Sequence, residues 1–371
     1  MNICFRVDSS TVIGTGHVVR CLTLAEQFRD KGFNVQFICR MLPGNIIDQI
    51  LTAGYEVHKL QEADYKHLIT EEMDNHRRWL AVDWTIDAQQ TKEIIKSLDI
   101  PLDLLVVDHY AIDMKWENKL SQMCENIMII DDLADRKHNC DFLLDQNYYT
   151  DLKNRYDKLV PDLCQKMLGP SFSLLRPEFN TARNSLKPRS GKIERVMVFF
   201  GGCDLSNQTK KVIDVIISSK ISTIHFDIVL GNTNPHMDEV KNLCSNLANV
   251  KLHYQIDYMS ELMAHSDLAI GGGGTTTWER CCLGLPCLTI AMAENQVTVA
   301  ELSHKAGFAL YLGYHTEVTT FHIEEALNRL LEQPEDLAKM SKTGTAFVDG
   351  LGSTRVVENI LKYKSKSKQK I

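Results

Sequence analysis

The chain has 371 residues, of which 44% are hydrophobic and 24% are charged, and its formal net charge is −7. This is the composition of a globular protein, and it excludes collagen-like, coiled-coil and fully disordered chains. The length predicts two domains, each large enough to bury its own core. Because nucleic-acid-binding domains usually carry a basic face, the acidic balance predicts that nucleic acid is not a partner.

Eleven scattered cysteines indicate a reduced, cytoplasmic protein. Their number is odd, and no two of them have the spacing of a zinc ribbon. Many lie in apolar runs, where free Cys behaves as a small hydrophobic residue. Residues 1–7 are too short for a signal peptide, and no apolar run approaches the roughly 18 residues that a membrane helix needs. We therefore expect a cytoplasmic location and no stable membrane association.

In the first half, short apolar runs alternate with amphipathic stretches, a pattern typical of βαβ units and parallel sheets. Strands are predicted at residues 3–7, 34–39, 56–60, 79–82, 104–107 and 127–130. Helices are predicted at 17–31 and 45–53, each followed by a glycine. The continuous apolar run at 104–107 is typical of a parallel strand covered on both faces. The first domain is predicted over residues 1–180.

A polar stretch with Pro and Gly, residues 180–191, is predicted to be a linker. The alternation then restarts, with strands predicted at 195–200, 223–230, 250–254, 268–270 and 287–290, and helices at 207–219, 323–332, 334–342 and 354–366. The second domain is predicted over 192–345, followed by a C-terminal helix and basic tail over 346–371. The fold class is α/β: two Rossmann-like domains with parallel sheets facing a central cleft, and ligand at the carboxyl ends of the strands.

A glycine turn follows the first predicted strand and contains Gly14 and Gly16 directly before His17. Glycines at such a turn let a ligand approach the backbone. A dinucleotide fingerprint would have glycine or alanine at position 19, where this chain has Val19, and no P-loop is present. A helix start favours the neutral form of an imidazole, which can accept a proton as a general base. His17 could equally be a polar residue decorating a helix start, but its place in a glycine turn favours function.

A second glycine turn, residues 271–274, joins a predicted strand to a Thr-rich helix start at Thr275. Its backbone can approach a diphosphate closely. Glu279 lies within the first turns of that helix, near enough to accept hydrogen bonds from ribose hydroxyls. Asn295 and Gln296 open the following predicted helix. A flexible linker is the alternative, but the strand and helix that flank the turn favour nucleotide binding.

Three further polar segments leave their roles open. The turn at 199–204 is as consistent with a tight strand-to-helix connection as with a phosphate contact. Asp108 and His109 end one predicted strand, where side chains face the cleft in such folds. Asp131 and Asp132 end another, and helix capping is slightly favoured for both. The sequence has no Asp-x-Asp motif and no serine nucleophile elbow, so neither a metal–diphosphate site nor a covalent serine mechanism is expected.

Motifs along nearly the whole chain resemble those of the PseG family, the nucleotide-sugar hydrolases of pseudaminic acid biosynthesis. In the first half they are Arg6-Val7-Asp8-Ser9-Ser10, Gly14-Thr15-Gly16-His17, Arg20-Cys21-Leu22, Val106-Val107-Asp108-His109-Tyr110, and residues 130–136, 169–170 and 175–179. In the second half they are residues 199–204, 271–279, 295–296, 348–350, 352 and 355. The polar stretch at 61–78 is interpreted as an insertion relative to this family.

The resemblance implies a GT-B-like architecture used for hydrolysis. It implies that the substrate is UDP-2,4-diacetamido-2,4,6-trideoxy-β-L-altropyranose and that the products are UDP and the free sugar. Carried over to this chain, it assigns water activation to His17, the ribose to Glu279 and the diphosphate to Gly273-Gly274-Thr275. It assigns a further part of the nucleotide sugar to Asn295.

We interpret the reaction as inverting hydrolysis at the anomeric carbon that needs neither metal nor cofactor. His17 deprotonates water while UDP leaves towards a helix N-terminus in the second domain, where the developing negative charge is stabilised. Asp8 is the residue predicted to orient His17. Three alternatives stay open: a glycosyltransferase using a UDP-sugar donor, a hydrolysing UDP-sugar 2-epimerase, and a non-catalytic nucleotide-sugar binding protein.

Overall fold

The computed structural model describes residues 1–61, 76–219, 221, 223–231 and 233–368. The chain forms two compact units. The first, unit 1, comprises Met1–Asn147, Asp151–Leu174 and Ser353–Ile371, and the second, unit 2, comprises Tyr148–Thr150 and Leu175–Gly352. Unit 1 therefore ends before the predicted boundary at residue 180 and includes most of the C-terminal segment that was predicted to be separate. Most of the predicted insertion at 61–78 lies outside the described residues.

The strands of the described chain are β1 (Asn2–Val7), β2 (Asn34–Arg40), β3 (Glu56–Leu60), β4 (Leu102–Asp108), β5 (Cys124–Ile130), β6 (Phe142–Asp145), β7 (Gln165–Leu168), β8 (Arg195–Phe199), β9 (His225–Leu230), β10 (Val250–Tyr254), β11 (Leu268–Gly272), β12 (Cys287–Ala291) and β13 (Leu310–Tyr314). The α-helices are α1 (Gly16–Asp30), α2 (Ile47–Thr52), α3 (Trp84–Ser97), α4 (Met114–Leu120), α5 (Pro177–Ser185), α6 (Gln208–Ser218), α7 (Met237–Cys244), α8 (Met259–His265), α9 (Thr276–Cys282), α10 (Glu294–Ala306), α11 (Thr320–Glu332), α12 (Pro334–Phe347) and α13 (Gly352–Lys368).

Unit 1 contains a parallel sheet of order β3-β2-β1-β4-β5-β6-β7. Alternate residues of β1 face opposite layers: Phe5 packs with α1, and Cys4 belongs to the core on the other side. Helix α1 presents buried residues at three- and four-residue spacing, Val18, Cys21, Leu24, Ala25 and Phe28. Its Phe28 ring lies 6.5 Å from the Phe5 ring. The strand order reverses between β1 and β4, which are parallel neighbours, so their carboxyl ends form a switch point, where ligands bind in such sheets.

The C-terminal helix belongs to unit 1 because its apolar face is buried there. Val356, Val357 and Ile360 are at most 1% exposed and belong to the same core as α1. The ring of Tyr363 packs edge-on against Phe142 of β6, with centroids 5.1 Å apart. This apolar spacing at i, i+1 and i+4 is the reason that the segment is a packed helix of unit 1.

Unit 2 repeats the arrangement with a parallel sheet of order β10-β9-β8-β11-β12-β13. The apolar runs of its central strands are almost completely buried, with Val196, Val198, Ile270 and Leu288 all at 0% exposure. Strands β8 and β11 are neighbours and pair Phe199 with Gly271. Their carboxyl ends form the second switch point, at the glycine turn that follows β11. No described helix of either unit has the length and apolar character required to cross a membrane.

Two predictions of secondary structure are wrong. Residues 79–82 are not a strand: Arg77–Leu80 is a short 3₁₀ helix, Ala81 has a left-handed φ of 56°, and Asp83 caps α3 by accepting from Thr85 N at 2.8 Å. The predicted linker begins within α5, whose only buried residue is Phe179, so its composition is polar. The short strands β6, β7 and β13 were not predicted.

Candidate active site

His17 lies in the first turn of α1, with 10% of its side chain exposed. Its Nδ1 atom is 2.6 Å from Oδ1 of Asp108, the last residue of β4. The sheet makes this contact possible because β4 lies directly beside β1, from which the chain enters the turn before α1. With Nδ1 donating its proton to the carboxylate, Nε2 keeps its lone pair. His17 is thereby arranged to accept a proton at Nε2.

Arg20, one helical turn after His17, holds Asp108 with two hydrogen bonds. Its Nε lies 2.6 Å from Asp108 Oδ2 and its Nη2 lies 2.7 Å from Oδ1. Burial by itself raises the pKa of Asp108, but Arg20 and His17 outweigh it and hold the pKa below its ordinary value. Asp108 therefore stays a carboxylate and can fix the orientation of the His17 ring.

Asp8 does not take the place predicted for it beside His17. Its Oδ1 accepts hydrogen bonds from Arg6 Nη1 at 2.6 Å and from Arg40 N at 2.7 Å, and its Oδ2 lies 3.3 Å from His109 Nε2. None of these contacts, within the described part of the chain, involves His17. Asp8 is 1% exposed and joins the ends of β1, β2 and β4 beneath the turn. The residue that orients His17 is Asp108.

Aromatic rings line one side of His17. The Tyr110 ring meets the His17 ring edge to face, with centroids 4.6 Å apart and an interplanar angle of 80°. Trp79 stacks on Tyr110 at 5.2 Å and lies 5.8 Å from His17. His76 packs against both Trp79 and Tyr110. The sequence predicted a strand at Trp79, so this ring was missed as part of the site.

The two glycines of the first turn have different reasons to be glycine. Gly14 has a φ of +80°, in the left-handed region that favours glycine, and its N–H donates to Ser10 O at 2.9 Å. Gly16 begins α1, and a Cβ on it would meet nothing within 4 Å. The backbone beside His17 is therefore open at Gly16.

Asp131 and Asp132 do not cap a helix, because the chain after β5 is irregular up to β6. Asp131 accepts from Ala134 N at 2.8 Å and from Tyr156 Oη at 3.0 Å. Asp132 accepts from Arg20 Nη1 at 2.6 Å. The slightly favoured capping role is wrong for both residues, and Asp132 is connected to the His17 cluster.

In unit 2, Gly271 and Gly272 are the last residues of β11, so the turn itself begins at Gly273. A Cβ at Gly271 would lie 2.3 Å from Phe199 O, so this position is glycine because the strands approach closely. A Cβ at Gly273 would lie 3.0 Å from Gln296 Oε1. Gly274 has a φ of +85° and a Cβ on it would lie 3.7 Å from Gln296 Nε2. The structure thus brings Gly273, Gly274 and Gln296 together.

A buried cation lies behind this turn. Arg280 is 3% exposed, and its Nη2 donates to Gly272 O at 2.8 Å and to Thr277 Oγ1 at 3.2 Å. Both acceptors are neutral oxygens, so they do not cancel the charge of the guanidinium. A positive charge behind exposed backbone favours an anion in front of it. Arg280 was not predicted as part of the site. The sequence signal that could have indicated it is its position shortly after the glycine turn.

The other predicted residues of unit 2 surround the turn. Thr275 is the half-buried N-cap residue of α9. Glu279 is buried on α9; burial raises its pKa, against the opposing effect of Arg176 and Arg280. Gln296 accepts from Met292 N at 3.0 Å, which fixes its amide beside Gly273. Asn295 is exposed near the start of α10.

The third turn, after β8, is a structural connection. The Asp204 carboxylate accepts from Gln208 N at 2.8 Å and from Thr209 N at 2.9 Å at the start of α6. An anionic side chain already occupies this helix start, so it is not available to phosphate. Within the described residues, no group of three or more His, Cys, Asp or Glu side chains is arranged to hold a metal ion.

Comparisons with known proteins agree with this architecture. Residues 196–352 match the glycosyltransferase family 28 C-terminal domain. The chain is 27% identical to the UDP-2,4-diacetamido-2,4,6-trideoxy-beta-L-altropyranose hydrolase of Campylobacter jejuni over 315 residues, which cover 85% of this chain and 100% of that protein. The predicted resemblance to the PseG family is therefore confirmed.

Two solved structures show the same fold. MurG of Acinetobacter baumannii aligns with a TM-score of 0.64 and 13% identity, covering 97% of this chain and 99% of that one. A UDP-GlcNAc 2-epimerase of Neisseria meningitidis bound to UDP-GlcNAc aligns with a TM-score of 0.60 and 14% identity, covering 98% and 100%. The chain thus has a GT-B fold, resembles the PseG hydrolases and matches the glycosyltransferase family 28 C-terminal domain over residues 196–352.

Proposed function

We propose that this protein hydrolyses UDP-2,4-diacetamido-2,4,6-trideoxy-β-L-altropyranose at the anomeric C–O bond, in pseudaminic acid biosynthesis. The products are UDP and 2,4-diacetamido-2,4,6-trideoxy-L-altrose, formed with inversion and without a metal or cofactor. The proposal is supported by the 27% identity to a hydrolase of this name. It is carried by one observation: His17 Nδ1 lies 2.6 Å from the Asp108 carboxylate, a contact that suits the tautomer in which Nε2 accepts a proton.

The chemical step we propose uses His17 as the general base. A water oxygen attacks C1 of the sugar, and Nε2 of His17 takes the proton that the water loses. The C1–O bond breaks on the opposite face, and its electron pair leaves on the diphosphate oxygen of UDP. Asp108, held as a carboxylate by Arg20, stabilises the imidazolium that forms.

Unit 2 binds the leaving group in this proposal. The backbone at Gly273 and Gly274 and the hydroxyl of Thr275 hold the diphosphate, with the Arg280 charge behind the turn. Because a diphosphate leaves readily as an anion, the mechanism needs no second carboxylic acid of the kind that ordinary glycosidases use. Glu279 binds the ribose in this scheme.

The remaining predicted contacts are part of the same proposal. Asn295 and Gln296 hold a further part of the nucleotide sugar, and the open backbone at Gly16, together with Gly14, approaches the sugar. We propose a cytoplasmic location because all eleven cysteines are free in the structure and most are buried. Nucleic acid and membranes are not proposed as partners.

The test is an NMR time course of the purified protein with the UDP-sugar in the presence of EDTA. Release of UDP and the free sugar, with the inverted anomer appearing first, supports the proposal. If the substrate is consumed only after EDTA is omitted, the metal-independent mechanism is wrong. If the substrate stays unchanged in both buffers, a transferase becomes the better hypothesis, because residues 196–352 match a glycosyltransferase domain. Acceptor screens then follow.

A further inference from the structure

We propose that Asp132 is a positioning residue for His17, an inference that rests on the proposed hydrolase function. Asp132 follows β5, and its Oδ2 accepts hydrogen bonds from Tyr110 Oη at 2.5 Å and from Arg20 Nη1 at 2.6 Å. Its Oδ1 accepts from Asn147 Nδ2 at 3.1 Å. One carboxylate therefore joins the segment after β4, the helix α1 and the segment after β6.

Asp132 reaches His17 by two separate routes. The first runs through Tyr110, whose ring meets the His17 ring edge to face at 4.6 Å. The second runs through Arg20, which bonds both oxygens of Asp108, and Asp108 in turn holds His17 Nδ1. The first route holds the plane of the His17 imidazole ring. The second route holds its Nδ1 atom in place.

The hydrogen bonds along both routes are strong because the cluster is buried. Asp132 is 9% exposed, Tyr110 is 5% exposed and Arg20 is 4% exposed. Hydrogen bonds to an ionised carboxylate are short and strong when water is excluded. With an amide in place of this carboxylate, Tyr110 and Arg20 lose their shared ionised acceptor, and Arg20 keeps only Asp108 of its two carboxylates. The His17 ring then samples more orientations, and fewer of them point Nε2 at the attacking water.

The test compares Asp132→Asn with the wild type in steady-state hydrolysis. Because the base is misdirected while substrate contacts are kept, we expect kcat to fall by at least about tenfold and KM to change by less than about threefold. Tyr110→Phe keeps the ring but removes the hydroxyl, so we expect a smaller loss of kcat. In the Asp132→Asn background, Tyr110→Phe should cost less than in the wild type, because the two residues act through one hydrogen bond.

Tyr156→Phe is the matched control. Tyr156, like Tyr110, is a buried tyrosine, and its hydroxyl lies 3.0 Å from carboxylate oxygens of Asp131 and Asp145. Tyr156→Phe therefore removes the same type of hydrogen bond, from a tyrosine hydroxyl to a carboxylate, at Asp131 and Asp145 and not at Asp132. We expect its thermal stability to fall as in Tyr110→Phe while kcat stays within twofold of the wild type. A folded Asp132→Asn with unchanged kcat, or a Tyr156→Phe that loses as much kcat as Tyr110→Phe, would overturn the positioning role.

A second measurement separates this inference from the proposed function. NMR of the ¹⁵N-labelled imidazoles reports the His17 Nδ1–H bond without any substrate. We expect a protected Nδ1–H signal in the wild type and in Tyr156→Phe, and its broadening or loss in Asp132→Asn. If the wild type shows this signal but does not hydrolyse the UDP-sugar, the proposed function fails and the positioning role stands. If the signal is unaffected by Asp132→Asn, the positioning role fails.

Discussion

His17 Nδ1 lies 2.6 Å from Asp108 Oδ1, although the two residues are separated by 91 positions in the chain. The contact exists because β4 pairs with β1, which places the end of β4 beside the turn that leads into α1. Asp108 is buried and keeps its charge through Arg20. The pair therefore places the proposed base and the carboxylate in contact with it at the switch point of the first sheet.

Replacing His17 with Asn should abolish hydrolysis and leave UDP binding intact. The loss of a general base costs about 10²- to 10⁴-fold in kcat. UDP binding belongs to unit 2 in the proposed function, so calorimetry with UDP should give an unchanged affinity. His58→Asn, on β3, is a control for a histidine of unit 1 outside the site. Turnover by His17→Asn at the wild-type rate would remove His17 from the role of base.

Asp108→Asn should lower kcat far more than the same change elsewhere on β4. An amide can present its NH₂ group to Nδ1 and stabilise the wrong tautomer, an effect that costs on the order of 10⁴-fold in a serine protease. Asp103→Asn is the matched control, because Asp103 lies near the other end of β4 and accepts from Asn2 N at 2.7 Å. Steady-state kinetics of both variants, with thermal unfolding as a check on folding, make the comparison. Equal kcat values would contradict the orienting role.

Most central strands could be predicted from the sequence because they are continuous apolar runs. The prediction at 250–254 matches β10, and the one at 104–107 lies within β4. The partner of His17 could not be predicted in the same way. Asp8 is near His17 in sequence, whereas Asp108 reaches it only through the order β2-β1-β4, which a list of strands does not contain.

The aromatic residues beside His17 could not be predicted from the sequence for a different reason. Trp79 and Leu80 are apolar, as in a buried strand, but Ala81 takes a left-handed conformation and Asp83 starts α3. Four residues are too few for hydrophobic period to separate a strand from a turn. The glycine turns, by contrast, could be located from the sequence, since a strand and a helix flank each of them closely.

Alanine at Gly14 and at Gly16 should separate backbone strain from substrate approach. Gly14 has a φ of +80°, so Gly14→Ala should lose about 1–2 kcal/mol of unfolding free energy. Gly16→Ala should be as stable as the wild type, because its Cβ meets nothing within 4 Å. If substrate approaches this backbone, Gly16→Ala raises KM without loss of stability. Urea unfolding and steady-state kinetics of both variants measure the two effects, and an unchanged KM in Gly16→Ala would contradict the approach.

Asp8→Asn should destabilise the protein most at neutral pH and least in acid. Burial alone raises the pKa of Asp8, but Arg6 and His109 outweigh it and hold the pKa below its ordinary value. The charge of Asp8 therefore adds stability above the unfolded-state pKa of about 3.9, and this stability is lost as the pH falls below it. We expect the difference in unfolding free energy between the variant and the wild type to narrow from about pH 5 downwards. Urea unfolding of both proteins across this pH range measures the difference in unfolding free energy. A difference that stays constant with pH would contradict the prediction.

In the second glycine turn, alanine at Gly271 and alanine at Gly273 should affect stability differently. A Cβ at Gly271 would lie 2.3 Å from the backbone oxygen of Phe199, which cannot move away without breaking the β8–β11 pairing. Gly271→Ala should therefore unfold unit 2 or greatly lower its stability. A Cβ at Gly273 would lie 3.0 Å from Gln296 Oε1, the far end of a flexible side chain. Gly273→Ala should stay folded.

Because the added methyl of Gly273→Ala also occupies space over the turn, UDP binding should weaken by about tenfold or more if the diphosphate lies there. Calorimetric titration with UDP, after thermal unfolding has shown that the variant is folded, measures this loss. Gln296→Ala alone controls for the displaced amide, since Gln296 Oε1 also accepts from Met292 N. A folded Gly273→Ala that binds UDP as tightly as the wild type would place the diphosphate away from this turn, and the roles proposed for Gly274 and Thr275 would fall with it.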